Sequence, residues 1–149
     1  MTDGLLIHAS AVAIDGQAVL LRGPPGAGKS DLALRLIDGG ARLISDDQAA
    51  LRRQGANVVV CAPATIVGLI EVRGLGILRI DPVDEAPLGL LVDLVSSVEV
   101  ERLPDPRWET ILGIPIPLIA LAPFEASAAA KLRLARRAFS AKPAAGILS

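Results

Sequence analysis

A glycine-rich stretch with a lysine and a serine at its end begins at Gly23, where the chain reads Gly-Pro-Pro-Gly-Ala-Gly-Lys-Ser. This stretch fits G-x-x-x-x-G-K-[ST], a loop whose backbone amides cradle phosphate oxygens. Its glycines let the backbone approach an anion closely, and a helix that follows adds its positive end. In this motif Lys29 reaches the β- and γ-phosphates and the Ser30 hydroxyl can ligate Mg²⁺. The predicted nucleotide-binding residues are Gly23, Pro24, Pro25, Gly26, Ala27, Gly28, Lys29 and Ser30.

The segments on either side of this loop have the patterns that the motif requires. Residues 18–21 are a short apolar run typical of a strand. Residues 31–38 repeat aliphatic side chains at helical spacing, and two glycines at 39–40 then end the helix. The alternative interpretation is a glycine-rich turn that carries a surface lysine. The strand before the loop and the helix after it favour a phosphate-binding loop instead.

Further acidic residues follow apolar segments at two places in the chain. A short apolar strand at residues 41–44 ends in Ser45-Asp46-Asp47. The two aspartates resemble the second metal-and-water site of phosphate-loop proteins, although a helix cap or a turn would also explain them. Residues 68–77 are predicted to form a strand on which Glu71 and Arg73 share one face. Those two residues could serve a polar site or simply form a surface ion pair.

The composition limits the possible classes of protein. The chain has 149 residues, 52% of them hydrophobic, which is enough for one domain with an aliphatic core. The net charge of −1 and the scarcity of aromatic residues argue against nucleic acid as a partner. A single cysteine, Cys61, suits a reducing compartment. The sequence shows neither a signal segment nor a membrane span, so we expect a cytoplasmic protein with no membrane partner.

The remaining pattern predicts an α/β protein that is mainly β-sheet, with one helix after the phosphate loop and a second near the C-terminus. Ser127 is a plausible cap for this second helix, and residues 99–108 contain two prolines and are predicted to be a loop. Residues 143–149 are expected to be a loose tail to a single domain of residues 1–149. Strands are expected at residues 5–14, 17–22, 41–44, 57–61, 68–77 and 88–95, with 114–117 extended at a sheet edge.

Taken together, these pieces resemble the catalytic domain of the HPr kinase/phosphorylase family. Members of that family phosphorylate a serine on HPr, a small phosphocarrier of the bacterial sugar phosphotransferase system. The resemblance covers residues 5 to about 139, and the stretch at 69–77 resembles the family signature. The matching segments are His8-Ala9-Ser10, residues 23–30, residues 43–47, residues 69–77 and Glu101-Arg102-Leu103.

The resemblance implies a role for each matching residue. Lys29 would neutralise phosphates, one carboxylate of the Asp46–Asp47 pair would take the serine proton, and the spacing from Lys29 favours Asp47. The implied catalytic residues are His8, Lys29, Asp46, Asp47, Arg73 and Arg102. The implied Mg²⁺ residues are Ser30, Glu71 and Asp46. The resemblance also implies a fold similar to HPr kinase and phosphoenolpyruvate carboxykinase, ATP and Mg²⁺ as cofactors, an HPr-like partner and a homo-oligomer, by analogy a hexamer.

Three departures from the family pattern accompany this resemblance. The usual N-terminal regulatory domain is not expected here, and Pro104-Asp105-Pro106 replaces a glycine-containing turn. Residues 122–127 lack the basic residues tied to dephosphorylation and include Glu125. The sequence therefore predicts a protein that works mainly as a kinase. A small-molecule kinase and a non-catalytic nucleotide sensor remain as alternatives.

Overall fold

The computed structural model describes residues 4–139. Nine of its β-strands form one curled sheet. The strand order is β1-β5-β6-β9-β3-β2-β4, with β11 paired to β9 and β10 paired to β11. A separate hairpin consists of β7 and β8. The strands are β1 Gly4–Ile7, β2 Ala9–Ile14, β3 Gln17–Arg22, β4 Arg42–Ser45, β5 Ala49–Gln54, β6 Asn57–Cys61, β7 Leu69–Val72, β8 Gly76–Arg79, β9 Glu85–Leu94, β10 Arg107–Ile111 and β11 Ile114–Leu121.

The β2–β3 hairpin has both of its faces buried. Its turn residues, Asp15 and Gly16, both have positive φ, as a tight two-residue hairpin turn requires. Alternate residues of β2 contribute to different core clusters: Ala11 packs in one and Val12 in the other. This double burial explains why β2 and β3 read as nearly continuous apolar runs.

Two α-helices occur where the sequence predicts them, and both pack against one face of the sheet. Helix α1, Lys29–Asp38, buries Leu32 and Leu36, and helix α2, Ala128–Ala138, buries Leu132 in the same cluster. Ser127 occupies the N-cap position of α2, but its side chain makes no capping hydrogen bond, so the prediction of a side-chain cap is wrong. Neither helix in the part of the chain that the structure describes is long and apolar enough to cross a membrane.

Strand β9 lies at the centre of the sheet and connects the core to the phosphate loop. Its first residues pair with β6, and its last residues run parallel to both β3 and β11. Asp93 of β9 is therefore paired with Arg22, the last residue before the loop. This pairing sets the loop at the carboxyl ends of two parallel strands, where α/β proteins bind ligands.

Residues 68–77 differ from the prediction of one continuous strand. They form a hairpin in which Arg73 lies in the turn after β7, and Gly74 and Gly76 adopt φ of 91° and 109°. Because glycine takes positive φ without a steric penalty, these two residues allow the chain to reverse. Glu71 and Arg73 consequently do not share a strand face as predicted.

The other differences are smaller. Strand β5 was not predicted, and the strand predicted at residues 5–14 breaks at His8 into β1 and β2. Residues 114–117 are extended and pair only with β10 among the described residues, which confirms their edge position. The predicted loop at 99–108 contains the start of β10. The tail predicted at residues 143–149 lies outside the described residues.

Candidate functional site

The loop between β3 and α1 has the backbone geometry that its glycines allow. Gly26 and Gly28 have φ of 84° and 101°. The amide of Ala27 donates to the carbonyl of Pro24 over 3.0 Å, and the amide of Leu32 donates to the carbonyl of Gly28 over 3.0 Å. The first bond closes the loop and the second starts the helix. The unpaired amides of the first helical turn therefore face the loop, where an anion would be stabilised.

Lys29 is held inside this loop rather than on the surface. Its Nζ donates to the carbonyl oxygens of Gly23 over 2.7 Å and Pro24 over 3.1 Å. The residue is 6% exposed, which contradicts the alternative of a turn with a surface lysine. A buried ammonium supported by two carbonyls is a fixed point charge at the centre of the loop, suited to phosphate oxygens.

The Asp46 carboxylate joins three elements of the site. The hydroxyls of Ser30 and Ser10 donate to Oδ1 over 2.7 and 2.9 Å, and the backbone amide of Glu71 donates to Oδ2 over 3.0 Å. The residue is 7% exposed. These bonds tie helix α1, strand β2 and hairpin strand β7 to one side chain, so Asp46 fixes the relative positions of the parts of the site.

Asp47 has a different environment from its neighbour. It is exposed and adopts φ of 67°, which is uncommon for a residue with a side chain. Its backbone amide donates to the Ser10 hydroxyl over 3.0 Å, and the amide of Gln48 donates to the carbonyl of Asp46 over 2.8 Å. The two adjacent carboxylates thus differ in exposure: one is locked in the hydrogen-bond cluster and the other is open to the cleft.

A cleft of about 500 Å³ runs beside the phosphate loop. It is bounded by the loop and α1, by the two aspartates and by the turn of the β7–β8 hairpin. The hairpin brings Glu71 and Arg73 into the cleft although they are not on one strand face. The lining residues are Pro25, Gly26, Gly28, Lys29, Ser30, Asp31, Leu34, Asp46, Asp47, Glu71, Val72, Arg73 and Phe124.

Two of the predicted catalytic residues lie outside this cleft. His8 is exposed at the break between β1 and β2, and Arg102 is exposed in the segment that leads to β10. Neither lines the cleft beside the phosphate loop. Their assignment therefore stays a prediction that depends on the family resemblance.

The segment at residues 122–127 packs against the phosphate loop. Arg35 of α1 donates to the carbonyl of Pro123, and the Phe124 ring lies so close to Gly28 that a Cβ there would be 2.9 Å from the ring. The carboxylate of Glu125 accepts from Lys131 over 3.0 Å. Glu125 does not line the cleft, so its charge is not directed at an anion on the loop.

Sequence reasoning gave no role to Ser10 or Phe124. Ser10 is a polar residue in a fully buried strand, and a polar side chain in such a position requires a hydrogen-bond partner. That signal was present within the matching segment His8-Ala9-Ser10. Phe124 had no comparable signal, because its contact with Gly28 joins residues far apart in sequence.

The residues predicted to hold Mg²⁺ fit a hard cation. Ser30, Asp46 and Glu71 offer a hydroxyl and two carboxylates, the oxygen ligands that Mg²⁺ prefers. No group of three or more His, Cys, Asp or Glu side chains with metal-binding geometry occurs within residues 4–139. This donor set suits an ion that is also held by phosphate oxygens and water, as is usual for Mg²⁺ with nucleotides.

The site has the features of the phosphate-loop class of proteins. These are a glycine loop between a strand and a helix, a buried lysine, and a carboxylate bonded to the loop serine. The family model for the HPr Serine kinase C-terminal domain matches residues 1–131. The chain therefore belongs to the HPr serine kinase C-terminal domain family, which confirms the family resemblance.

Curated relatives support this membership. The chain is 36% identical over 126 residues to the HPr kinase/phosphorylase of Prosthecochloris aestuarii, with 76% of this chain and 37% of the relative covered. It is 36% identical over 126 residues to the protein of the same name from Cupriavidus metallidurans, with 77% and 39% covered. The chain thus spans less than half the length of these relatives.

A solved structure shows the same fold. The Hpr(Ser) kinase/phosphatase from Coxiella burnetii matches with a TM-score of 0.79 and 27% identity, covering 91% of this chain and 97% of that chain. The match confirms the predicted fold class, a curled and mainly β architecture with two helices of the HPr kinase type.

Proposed function

We propose that this protein is an ATP-dependent kinase that phosphorylates a serine of an HPr-like phosphocarrier and uses Mg²⁺. The observation that carries the proposal is the Asp46 cluster. One carboxylate is bonded to the phosphate-loop serine, while the next residue, Asp47, is open to the same cleft. Phosphoryl transfer depends on positioning and charge neutralisation. The two carboxylates would position the metal and the substrate hydroxyl, while Lys29 and Mg²⁺ would neutralise the phosphate charge.

The phosphate loop would bind the transferred end of the nucleotide. Lys29, fixed on the carbonyls of Gly23 and Pro24, would face the β- and γ-phosphates. Ser30, Asp46 and Glu71 would hold Mg²⁺, which neutralises charge on the phosphate oxygens when it is bound. Lys29 and the bound Mg²⁺ would reduce the repulsion that an attacking oxygen meets from the phosphate oxygens.

Asp47 would act as the general base. Its exposed carboxylate can accept the proton of the substrate serine hydroxyl as that oxygen bonds to the γ-phosphorus. The bond from the γ-phosphorus to the bridging oxygen then breaks and ADP leaves with that electron pair. Arg73, in the hairpin turn that lines the cleft, would stabilise charge on the transferring group.

His8 and Arg102 are proposed to belong to the active centre on the family resemblance alone. Both are exposed and outside the cleft. Assembly into a hexamer and a cytoplasmic location are likewise proposals from the family.

The direction of the reaction is proposed to be mainly forward. Phosphorolysis places inorganic phosphate beside a phosphoserine, and two neighbouring anions need additional positive charge. Residues 122–127 contain no lysine or arginine. Incubation with phosphoseryl carrier and millimolar phosphate should release little pyrophosphate. Release as fast as the forward reaction would contradict this proposal.

Labelled ATP offered with different acceptors tests the proposed function. We expect label on a purified HPr-like carrier and none on a carrier whose acceptor serine is replaced by alanine. Label on small hydroxyl compounds instead of the carrier would indicate a small-molecule kinase. Nucleotide binding without transfer to any acceptor would indicate a sensor, and either result would overturn the proposal.

A further inference from the structure

Ser10 is a buried hydroxyl that joins the two aspartates of the site. It lies on β2 with an exposed fraction of 0%. Its Oγ donates to Oδ1 of Asp46 over 2.9 Å and accepts from the backbone amide of Asp47 over 3.0 Å. The hydroxyl therefore uses its single proton on one aspartate and a lone pair on the next.

Among the described residues, the Ser10 hydroxyl makes only these two hydrogen bonds. Its strand neighbours, Ala9 and Ala11, are fully buried and apolar. A buried hydroxyl without partners would be costly, and removing the hydroxyl would leave the Asp47 amide without its acceptor. Both bonds join the Ser10 hydroxyl to the bend formed by Asp46 and Asp47, so they fix the position of that bend relative to β2.

The backbone at this point is shaped to bring the aspartates to Ser10. The pairing of β2 with β4 shifts register between Ala11 and Val12, so β4 carries one extra residue, Ile44, between the partners Leu43 and Ser45. Such irregularities redirect side chains and are frequent beside functional sites. Asp47 then adopts φ of 67°, a conformation that needs support from surrounding bonds. The bond from its amide to Ser10 supplies that support.

We propose that Ser10 is a positioning residue for phosphoryl transfer. By holding the Asp47 backbone in its left-handed conformation, it aims the Asp47 carboxylate into the cleft. The bond that Ser10 donates to Asp46 orients the hydroxyl so that its lone pair accepts from the Asp47 amide. This inference rests on the proposed kinase function and adds to it a residue that touches neither nucleotide nor substrate serine.

The alternative is that Ser10 only stabilises the fold. In that case Ser10→Ala would lower the melting temperature, and the remaining folded protein would transfer phosphate at the normal rate. Val12→Ala provides a matched control, because Val12 is on the same strand, is fully buried and makes none of these side-chain bonds. We expect Val12→Ala to lower the melting temperature and to change kcat less than about twofold.

The experiment measures kcat and KM for ATP with carrier protein in the wild type, Ser10→Ala and Val12→Ala. We expect Ser10→Ala to lower kcat by roughly 10- to 100-fold, the usual effect of removing a supporting hydrogen bond, with KM for ATP changed less than about threefold. Ser10→Cys keeps the size with a weaker donor and should fall between the wild type and alanine. It also serves if Ser10→Ala does not fold.

A double-mutant cycle with Asp47→Asn separates positioning from stability. If Ser10 acts through Asp47, adding Ser10→Ala to Asp47→Asn should lower kcat less than about twofold further. Independent, multiplying losses would overturn the inference, as would wild-type kcat in Ser10→Ala. The activity of the wild type distinguishes failure of the positioning role from failure of the proposed kinase function. If it transfers phosphate and the variants do not behave as stated, only the positioning role fails. If it transfers none, the proposed function fails, and this inference fails with it.

Discussion

Asp46 and Asp47 are adjacent in sequence, but their side chains meet different surroundings. Asp46 accepts from two hydroxyls and one amide and is 7% exposed. Asp47 is exposed and lines the cleft. Because the backbone bends through a positive φ at Asp47, one carboxylate turns into the hydrogen-bond cluster and the other turns outward. The sequence shows two identical residues, while the structure supports two separate roles.

Substitution of each aspartate should separate these roles. We expect Asp47→Asn to lower kcat by roughly 10²- to 10⁴-fold with little change in ATP affinity, since a general base contributes about that much. Asp46→Asn should weaken Mg²⁺-dependent ATP binding as well, because it removes a charge beside Ser30. Steady-state kinetics and calorimetric titration measure the two effects. Identical losses in both variants would contradict the division of roles.

Glu71 is the second residue whose charge should matter to Mg²⁺. Its backbone amide is fixed on Asp46 and its exposed side chain lines the cleft. Glu71→Gln keeps the shape and removes the charge, so the Mg²⁺ concentration at half-maximal activity should rise about tenfold or more. Glu85→Gln is a suitable control, because Glu85 bonds Arg52 and does not line the cleft. An unchanged Mg²⁺ titration would show that Glu71 is a surface residue.

Local sequence patterns predict the helices, strands and loops whose conformation is set by residues close together in the chain. The phosphate loop, helix α1 and strand β6 follow from motif, periodicity and a short β-rich run. The β7–β8 hairpin was predicted as a single strand, because its apolar residues continue through the turn and only the backbone reveals that Gly74 and Gly76 have positive φ. The return strand β8 is exposed along its whole length, so its sequence has no alternation of buried apolar and exposed polar residues.

The phosphate loop should be sensitive to a side chain at Gly28. A Cβ there is strained at φ of 101° and meets the Phe124 ring at 2.9 Å. Gly26 has φ of 84° but no atom within 4 Å of such a Cβ, so Gly26→Ala carries the strain alone. We expect both substitutions to destabilise the protein by about 1–3 kcal/mol, and Gly28→Ala to weaken ATP binding more.

The Phe124 contact can be tested in the same series. Phe124→Ala in the Gly28→Ala background removes the ring that a new methyl group would meet. ATP affinity should then recover part of the loss, as measured by calorimetric titration, because Cγ of Pro123 would still lie 3.2 Å from the new methyl group. If Phe124→Ala gives no recovery, the contact does not account for the loss.

Across the whole molecule, bonds between distant segments hold the site, and these are what the sequence alone does not reveal. Ser10 and Asp46 are 36 residues apart, and Arg35 and Pro123 are 88 apart. Motifs identify residues that act near one another in the chain, so Lys29, Ser30 and the aspartates could be predicted. The partners of Asp46 depend on how β2, α1 and β7 meet, which requires the folded structure.

Arg22 joins three strands beside the phosphate loop. It donates to Asp93 of β9 over 2.8 Å and to both carboxylate oxygens of Glu109 on β10 over 2.7 and 2.8 Å. The hydrogen bond from Arg22 lowers the pKa of Glu109 below its usual value, and the Arg22 charge adds to this while partial burial opposes it. Ionised Glu109 therefore stabilises the folded protein.

The stability of the protein should reflect this lowered pKa. A carboxyl group with a lowered pKa in the folded state contributes its full stability at pH values above the pKa of the unfolded chain. That contribution is lost as the pH falls through the lowered pKa. Glu109→Gln should reduce the free energy of unfolding by about 1 kcal/mol at neutral pH, since the pair is partly screened by solvent. The difference from the wild type should shrink below about pH 4. Urea unfolding at several pH values measures it.

A surface ion pair provides the comparison for this experiment. Glu125 pairs with Lys131 through a single bond, and both side chains are close to half exposed. Glu125→Gln should therefore cost less stability than Glu109→Gln at neutral pH. Equal losses, or a Glu109→Gln difference that stays constant down to low pH, would contradict the role given to the Arg22 cluster.

Transfer of phosphate to a serine of an HPr-like carrier should depend on the phosphate loop and its carboxylates. The measurement is mass spectrometry of the carrier after incubation with ATP, Mg²⁺ and either wild-type protein or Lys29→Ala. We expect one phosphate per carrier on a serine with the wild type and none with Lys29→Ala, whose folding is checked by circular dichroism. The proposed kinase function would be contradicted if the wild type left a folded carrier unmodified, or if folded Lys29→Ala modified the carrier equally.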